Sequence, residues 1–318
     1  MRFVAVILIW ATTGFAQPHH EVVPDWPVLP EGHVLGLCAG VGVDAQNRVF
    51  IFHRSGRKWS NPFPKEAIAE PTVSVIDGAT GTLLNSWGEN RFIMPHGLTV
   101  DYEGNLWLTD VGLHQVFKCT PEGKVLLTLG ERRKPGDDHA HFNLPTDVAI
   151  LRDGTFYVSD GYRNSRVVKF SPKGKYEFEW GAKGTGEGEF NLPHGIAIDV
   201  QGRVIVCDRE NERLQVFGAK GLFLHAWKST QIGKPYGIET GPNGHLFVID
   251  GGSPSLKPEL RGKALELDSD GNVLDIFGSF GTGPGQFQLG HDIAVGPDGA
   301  VYVTEGTGAR VQKFVRWK

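Results

Sequence analysis

Short apolar runs recur along the chain, and each is introduced by a similar five-residue motif. The motif has six copies, at residues 37–41, 94–98, 144–148, 192–196, 234–238 and 289–293. In every copy, 14 residues separate the third motif position from the residue that ends the next apolar run, as from His96 to Asp110. A constant strand–turn–strand spacing predicts one structural unit repeated six times.

Two further strands are predicted in most units. A third strand, such as 166–170, is followed by a turn and a fourth strand that ends on an aromatic–glycine pair such as Trp180-Gly181. Four antiparallel strands in units of 42 to 57 residues are typical of propeller blades. We therefore predict an all-β, six-bladed β-propeller over residues 37–318. The sixth unit ends after its third strand, so we expect the segment 17–36 to supply the missing outer strand and close the ring.

The first 16 residues have the pattern of a secretory signal peptide rather than of a strand. A basic Arg2 precedes the apolar stretch 3–11, and Gly14 and Ala16 are the small residues that a signal peptidase requires. The apolar stretch is too short to span a bilayer well. We expect cleavage after Ala16 and a secreted or periplasmic protein.

Composition narrows the function without naming it. The 318 residues carry a net charge of −4 and 21% charged side chains, which gives no reason to expect nucleic acid or a membrane surface as partner. Three cysteines, Cys38, Cys119 and Cys207, fall in or at the ends of predicted strands. An odd count gives no disulfide framework, and buried free thiols are the expected state. We expect a monomer.

The third motif position is where the repeats carry chemistry. Strand one starts, and strand two ends, at the same mouth of a propeller's central channel, so the six positions should surround one cavity. They are Ala39, His96, Thr146, His194, Tyr236 and His291. Histidine occupies alternate blades, about 120° apart in a six-fold ring. Three converging imidazoles with an open fourth position predict a catalytic metal site, with zinc as the favoured ion and Cu, Ni, Co or Fe as the alternatives.

Other polar residues are expected at the same mouth. Arg54 and Arg209 each directly follow a second strand, on opposite sides of the ring, and either can bind a carboxylate. Tyr162 follows strand two of blade three, and neighbouring cations favour the phenolate that a general base requires. Asp292, beside His291, either binds a harder cation deeper in the channel or accepts hydrogen bonds from backbone amides.

Six stretches of the sequence are specific enough to indicate a protein family. They are 51–54, 94–98, 109–118, 159–166, 208–211 and 291–293. With them, the chain resembles the peptidyl-α-hydroxyglycine α-amidating lyases, a group of NHL-repeat propellers, over roughly residues 26–314.

That resemblance implies roles for individual residues. His96, His194 and His291 match the zinc ligands of the family, Tyr162 its catalytic base, and Arg54 and Arg209 its active-site arginines. Asp292 matches a structural calcium ligand, with main-chain oxygens at Val41 and Leu98.

The resemblance also implies a reaction. The family cleaves the C–N bond of a peptide ending in α-hydroxyglycine and releases a peptide amide and glyoxylate. A separate monooxygenase would have to supply this small peptide substrate, because no such domain is present in these 318 residues.

Two other classes of function are compatible with a propeller. A lactonase-type hydrolase would bind calcium through carboxylates and asparagine, which the histidine triplet argues against. A non-catalytic NHL binding module would not need histidine, arginine and tyrosine at one mouth. Release of glyoxylate from an α-hydroxyglycine peptide distinguishes these three classes.

Overall fold

The computed structural model describes residues 20–252 and 257–317, so the predicted signal peptide lies outside the described residues. The described part of the chain begins with β1 (His20–Val22) and contains six four-stranded antiparallel sheets, one of which includes β1. The predicted six-bladed β-propeller is confirmed. In the described ranges, no helix has the length and apolarity needed to cross a membrane.

The first three blades take their four strands consecutively from the chain. Blade one contains β2 (Cys38–Val43), β3 (Arg48–His53), β4 (Val73–Asp77) and β5 (Leu83–Trp87). Blade two contains β6 (Pro95–Val100), β7 (Leu106–Asp110), β8 (Gln115–Cys119) and β9 (Val125–Leu129). Blade three contains β10 (Asp147–Ile150), β11 (Phe156–Asp160), β12 (Arg166–Phe170) and β13 (Tyr176–Trp180).

The next two blades and a small ribbon follow in the same way. Blade four contains β14 (Pro193–Ile198), β15 (Val204–Asp208), β16 (Arg213–Phe217) and β17 (Phe223–Trp227). Blade five contains β18 (Pro235–Thr240), β19 (Leu246–Asp250), β20 (Ala264–Leu267) and β21 (Val273–Phe277). The ribbon is the parallel pair β22 (Ser279–Phe280) and β23 (Gln286–Phe287). Short 3₁₀ turns occupy Arg209–Asn211 and Pro258–Leu260.

The sixth blade joins the two ends of the described chain. It contains β24 (Gly290–Val295), β25 (Val301–Glu305) and β26 (Arg310–Arg316), with β1 as its outermost strand. β1 pairs antiparallel with β26 through His20–Arg316, Glu21–Val315 and Val22–Phe314. An N-terminal strand in the last blade closes the ring, because it joins the two ends of the described chain in one sheet.

The apolar cores lie between neighbouring blades. Phe50 and Phe52 of blade one, for example, share one fully buried cluster with Leu106 and Leu108 of blade two. This arrangement follows from the sequence, because strands buried on both faces read as continuous apolar runs instead of alternating ones.

Glycine lets the innermost strands approach closely at the axis. A Cβ added to Gly97 would lie 2.5 Å from the carbonyl oxygen of Thr146, and one added to Gly195 would lie 2.7 Å from that of Tyr236. Both glycines directly follow a histidine slot. A larger residue would push adjacent blades apart, so the motif glycines keep the channel narrow enough for the three imidazoles to meet.

In blades two to six, an acidic residue at the end of strand two holds the loop that enters strand one. Its carboxylate accepts a hydrogen bond from a backbone amide two or three residues before the motif slot. The pairs are Asp110 with Ile93 N, Asp160 with Asn143 N, Asp208 with Asn191 N, Asp250 with Lys234 N, and Glu305 with Gln288 N, at 2.7–2.9 Å. This contact explains the 14-residue spacing, because it ties the end of strand two to the start of strand one.

We expect Asp110→Ala to lower the free energy of unfolding by about 3 kcal/mol. Asp110 is fully buried and accepts hydrogen bonds from the backbone amides of Ile93, Met94 and Leu113, which alanine would leave without an acceptor. Urea unfolding measures the change. The exposed Asp270→Ala is the control, at about 0.5 kcal/mol or less. A loss below about 1 kcal/mol for Asp110→Ala would contradict this role of the carboxylate.

The three cysteines are free and buried, as the sequence predicts. Burial raises the pKa of Cys119 to about 11 and that of Cys38 and Cys207 well above its usual value. All three are therefore neutral thiols at physiological pH, and we assign them to the packing of the blades.

Candidate metal centre and active-site cavity

The three slot histidines converge on the propeller axis. His96, His194 and His291 are all buried, and their ring centroids lie 4.7–5.0 Å apart. One nitrogen from each ring lies within 4.8 Å of the other two. Each is the second residue of the first strand of its blade, and the three blades alternate around the ring.

Each imidazole is oriented by the next blade along the chain. The Nδ1 atom of His96 donates to the carbonyl of Thr146 at 2.8 Å, that of His194 to Tyr236 at 2.7 Å, and that of His291 to Ala39 at 2.6 Å. These carbonyls belong to the same motif slot in the three blades that lack histidine. A proton on Nδ1 leaves Nε2 with a free lone pair, as a metal-ligating histidine requires.

The neutral form of these rings is the favoured one. Burial, followed by the positive charges of Arg54 and Arg209, lowers the pKa of His291 to about 3. Burial and the neighbouring imidazoles and arginines lower the pKa of His96 and His194 well below its usual value. The Nε2 lone pairs therefore remain available at neutral and mildly acidic pH.

A cavity of about 480 Å³ opens above the histidines, and Arg54, Tyr162, Arg209 and His291 contribute to its lining. The Tyr162 hydroxyl lies 3.0 Å from His96 Nε2 and 3.4 Å from His194 Nε2. The structure thus brings together the six residues that the sequence singled out for zinc binding and catalysis.

Arg54 and Arg209 differ in how their charge is compensated. Arg54 donates from Nε to the carbonyl of Pro95 at 2.9 Å, while its buried Nη2 has no hydrogen-bond partner among the described residues. Arg209 donates from Nε and Nη2 to Glu210 Oε1 at 3.1 and 2.9 Å. Burial opposes the charge of Arg209, but Tyr162, Tyr236 and Glu210 outweigh it and raise its pKa. Arg54 is the arginine with a donor left for a ligand.

Below the histidines, three acidic side chains lie in the channel. Asp292 accepts hydrogen bonds from the backbone amides of Val41 and Ile293, both at 2.9 Å. Burial raises the pKa of Asp147 to about 7. Burial, followed by the charge of Asp147, raises the pKa of Glu239 to about 8. The same two causes raise the pKa of Asp292 well above its usual value. Within the described ranges, no lysine, arginine or histidine forms an ion pair with Asp147 or Asp292.

Comparison with known proteins places the chain in a family. Residues 142–170 and 190–217 match the NHL repeat. The chain is 38% identical over 316 residues to peptidyl-glycine alpha-amidating monooxygenase B of Xenopus laevis, a match that covers 93% of this chain and 35% of that protein. The chain therefore spans about a third of the length of that relative.

A shorter relative decides the assignment. The chain is 33% identical over 330 residues to peptidyl-alpha-hydroxyglycine alpha-amidating lyase 2 of Drosophila melanogaster, with 95% of this chain and 75% of that protein covered. The chain belongs to the peptidyl-α-hydroxyglycine α-amidating lyase family. Among solved structures, virginiamycin B lyase from Staphylococcus aureus covers 95% of this chain at a TM-score of 0.57 and 15% identity, with 88% of that structure covered, a likeness of fold alone.

In this member of the amidating-lyase family, the cavity also contains an aromatic residue that the sequence did not predict. Trp59, in the loop between β3 and β4, lies with its ring 5.2 Å from that of Tyr162 and 5.3 Å from the guanidinium carbon of Arg54. The residue has no equivalent in the repeat, so the 14-residue spacing could not reveal it. Its only sequence signal is an aromatic residue in an unusually long loop that follows a mouth position.

Proposed function

We propose that the protein is a zinc-dependent lyase that cleaves peptidyl-α-hydroxyglycine into a peptide amide and glyoxylate. The observation that carries the proposal is the meeting, in one cavity, of three imidazoles with free Nε2 lone pairs, Tyr162 and a guanidinium with an unused donor. The names of the matched relatives support the same reaction.

His96, His194 and His291 would hold the zinc ion. Their neutral rings, their carbonyl-fixed orientation and the mutual proximity of their ligand atoms fit a three-histidine site. When bound, zinc supplies a Lewis acid that stabilises negative charge on the oxygen of the reacting carbon.

The side chains of the cavity would perform the remaining steps. The Nη2 group of Arg54 binds the carboxylate of the α-hydroxyglycine, which satisfies a buried donor that otherwise lacks a partner. Tyr162, as phenolate, accepts the hydroxyl proton of the substrate. The electrons of that O–H bond form the C=O bond of glyoxylate, and the C–N bond breaks towards nitrogen. The proton held by Tyr162 then passes to that nitrogen, which completes the peptide amide and regenerates the base.

Arg209 would position the Tyr162 hydroxyl in the cavity. Its Nη1 lies 3.5 Å from the Tyr162 hydroxyl, and its guanidinium carbon lies 5.4 Å from the centre of that ring. Because Glu210 holds the opposite edge of the guanidinium, the positive charge stays directed at the tyrosine.

We further propose a structural calcium ion in the channel, bound by Asp292 with main-chain oxygens of Val41 and Leu98. The fit rests on the uncompensated acidic charge of Asp292, Asp147 and Glu239. Asp292 already accepts two backbone hydrogen bonds, which hold its carboxylate in place and leave further lone pairs for a cation.

Calcium should stabilise the protein more at about pH 8.5 than at about pH 6.5. Folding raises the pKa of Asp147 to about 7 and that of Glu239 to about 8. These carboxylates therefore destabilise the metal-free fold most when the pH is above those values. The destabilisation decreases as the pH falls through them. A cation that neutralises these carboxylates therefore increases the stability of the fold most at alkaline pH. Melting temperatures with calcium and with chelator, at both pH values, measure the difference.

The control for the calcium prediction is Asp292→Asn. This variant should show a small calcium response that is similar at the two pH values. An equal calcium response of the wild-type protein at both pH values would contradict the proposed site.

Substrate supply and location follow from the proposed reaction. A monooxygenase that hydroxylates a C-terminal glycine, either separate or fused, must precede this lyase, and the name of the Xenopus relative contains that activity. Because the substrate would be a processed peptide, we propose export through the predicted signal peptide.

Product analysis of a synthetic α-hydroxyglycine peptide tests the proposed function. A lyase yields the peptide amide and glyoxylate in equal amounts, well above the rate of spontaneous breakdown. Hydrolysis of a lactone substitute without glyoxylate release would favour a lactonase-type enzyme. Saturable peptide binding without turnover would favour a binding module.

A further inference from the structure

A second cluster of ligand-type side chains lies far from the axis, where the ring is closed. His20 is on the outermost strand β1, while Glu266 and Asp275 are on the third and fourth strands of blade five. All three are buried, and one ligand atom from each lies within 4.8 Å of the other two. An imidazole and two carboxylates form a ligand set that suits zinc and other divalent transition metals.

The two oxygens of Glu266 are in very different surroundings. Oε1 accepts hydrogen bonds from His245 Nδ1 at 2.6 Å, Asn243 Nδ2 at 3.2 Å and Arg316 Nη1 at 3.3 Å. Oε2 is equally buried but has no hydrogen-bond partner among the described residues. Buried carboxylate oxygens are almost always paired, so an unpaired oxygen on a residue of this ligand cluster points to a missing cation.

His20 is held in place from three sides. Its Nδ1 lies 2.8 Å from Asp275 Oδ2, its ring stacks on Phe277 with centroids 4.5 Å apart, and Phe247 meets it edge-on at 6.0 Å. These contacts fix the ring before any ion binds, which lowers the entropic cost of ligation.

An ion could reach the cluster from solvent. A cavity of about 410 Å³ is lined by His20 and Glu266 and also by Arg316 and Trp317. The cavity leaves room for a water molecule as a further ligand. The Arg316 side chain is nearly half exposed, at 46%, so it can turn outward when a cation replaces it beside Glu266.

We propose that His20, Glu266 and Asp275 bind a second divalent metal ion, with zinc as the preferred ion, and that this ion fastens the ring-closing strand. β1 is three residues long and joins its sheet through three residue pairs. A metal bond from β1 to blade five adds a cross-link between the end of the chain and the neighbouring blade. The ion is structural, because the cluster is separate from the catalytic cavity.

The alternative is an ion-pair cluster without metal. In that case His20 pairs with Asp275 alone, and Arg316 and His245 are sufficient partners for Glu266. The two states differ in metal content, which makes zinc itself the suitable probe.

The test is zinc stoichiometry after dialysis of the intact protein against a buffer that holds free Zn²⁺ at nanomolar concentration. We expect two zinc ions per wild-type chain and one in Glu266→Gln and in His20→Gln. Glu21→Gln, an exposed change on the same strand, is the matched control and should keep two. His194→Ala should keep the one ion that Glu266→Gln loses.

These variants separate failure of this proposal from failure of the proposed function. If Glu266→Gln and His20→Gln both retain the wild-type zinc content, the second site does not exist, whatever the axial histidines bind. If wild type binds one ion that His194→Ala keeps and Glu266→Gln loses, the second site stands and the axial site fails.

A stability readout covers variants that fold poorly. In the His194→Ala background, zinc should raise the melting temperature, because a ligand bound only by the folded state stabilises it. Adding His20→Gln to that background should abolish the rise, and adding Glu21→Gln should leave it intact. An unchanged rise in the His20→Gln double variant would overturn the proposal.

Discussion

Tyr162→Phe should lower turnover of an α-hydroxyglycine peptide by about 10²–10⁴-fold, the usual contribution of one positioned general base. Phenylalanine keeps the ring that packs against Trp59 and His96 and removes only the hydroxyl. Zinc content should not change, because the three imidazoles and their carbonyl partners remain. Steady-state kinetics with metal analysis of the same preparation measures both quantities.

The control is Tyr102→Phe, an exposed tyrosine in the turn between β6 and β7, which should retain wild-type kinetics. Near wild-type turnover of Tyr162→Phe would remove the phenol from the chemistry and leave a metal-activated water as the better candidate base. Loss of zinc together with activity would instead assign the hydroxyl to metal binding, which its 3.0 Å distance from His96 Nε2 makes a meaningful alternative.

His194→Ala should bind one zinc ion fewer per chain than wild type and lose measurable turnover. Two imidazoles hold zinc far more weakly than three, and the lost ion is the proposed Lewis acid. The substitution also removes the donor to the carbonyl of Tyr236. His225→Ala on β17, the outer strand of the same blade, is the control for loss of a histidine without loss of a ligand.

Stoichiometric axial zinc and full activity in His194→Ala would show that the triad is not the metal centre. Reduced zinc with full activity would show that the metal is not catalytic. Either result would leave the fold and the family assignment unaffected, because those rest on the sheets and on the relatives.

The repeat pattern predicted the fold because its physical basis is local. The aspartates that end strand two bind the amides just before strand one, so a fixed chain length separates two features that touch. The glycines after the histidine slots are visible in the motif for the same reason. Six copies of the same strand–turn–strand unit imply a closed ring, even when no contacts between distant residues are known.

The site could be predicted only as far as the repeat reaches. His96, His194 and His291 occupy repeat positions, so their convergence follows from the symmetry of the ring. Trp59 lies in a loop outside the repeat. The pairing of Arg209 with Glu210 depends on a side-chain rotamer that no spacing encodes. The contact between His20 and Asp275 joins residues 255 positions apart in the chain.

The central claim is that zinc at the three axial histidines is required for lyase turnover. The most direct measurement is the rate of glyoxylate release from an α-hydroxyglycine peptide by one preparation as purified, after chelator stripping and after zinc is restored. We predict loss of release on stripping and recovery with zinc, and no recovery in His194→Ala treated in the same way. Full glyoxylate release from zinc-free protein would contradict the account.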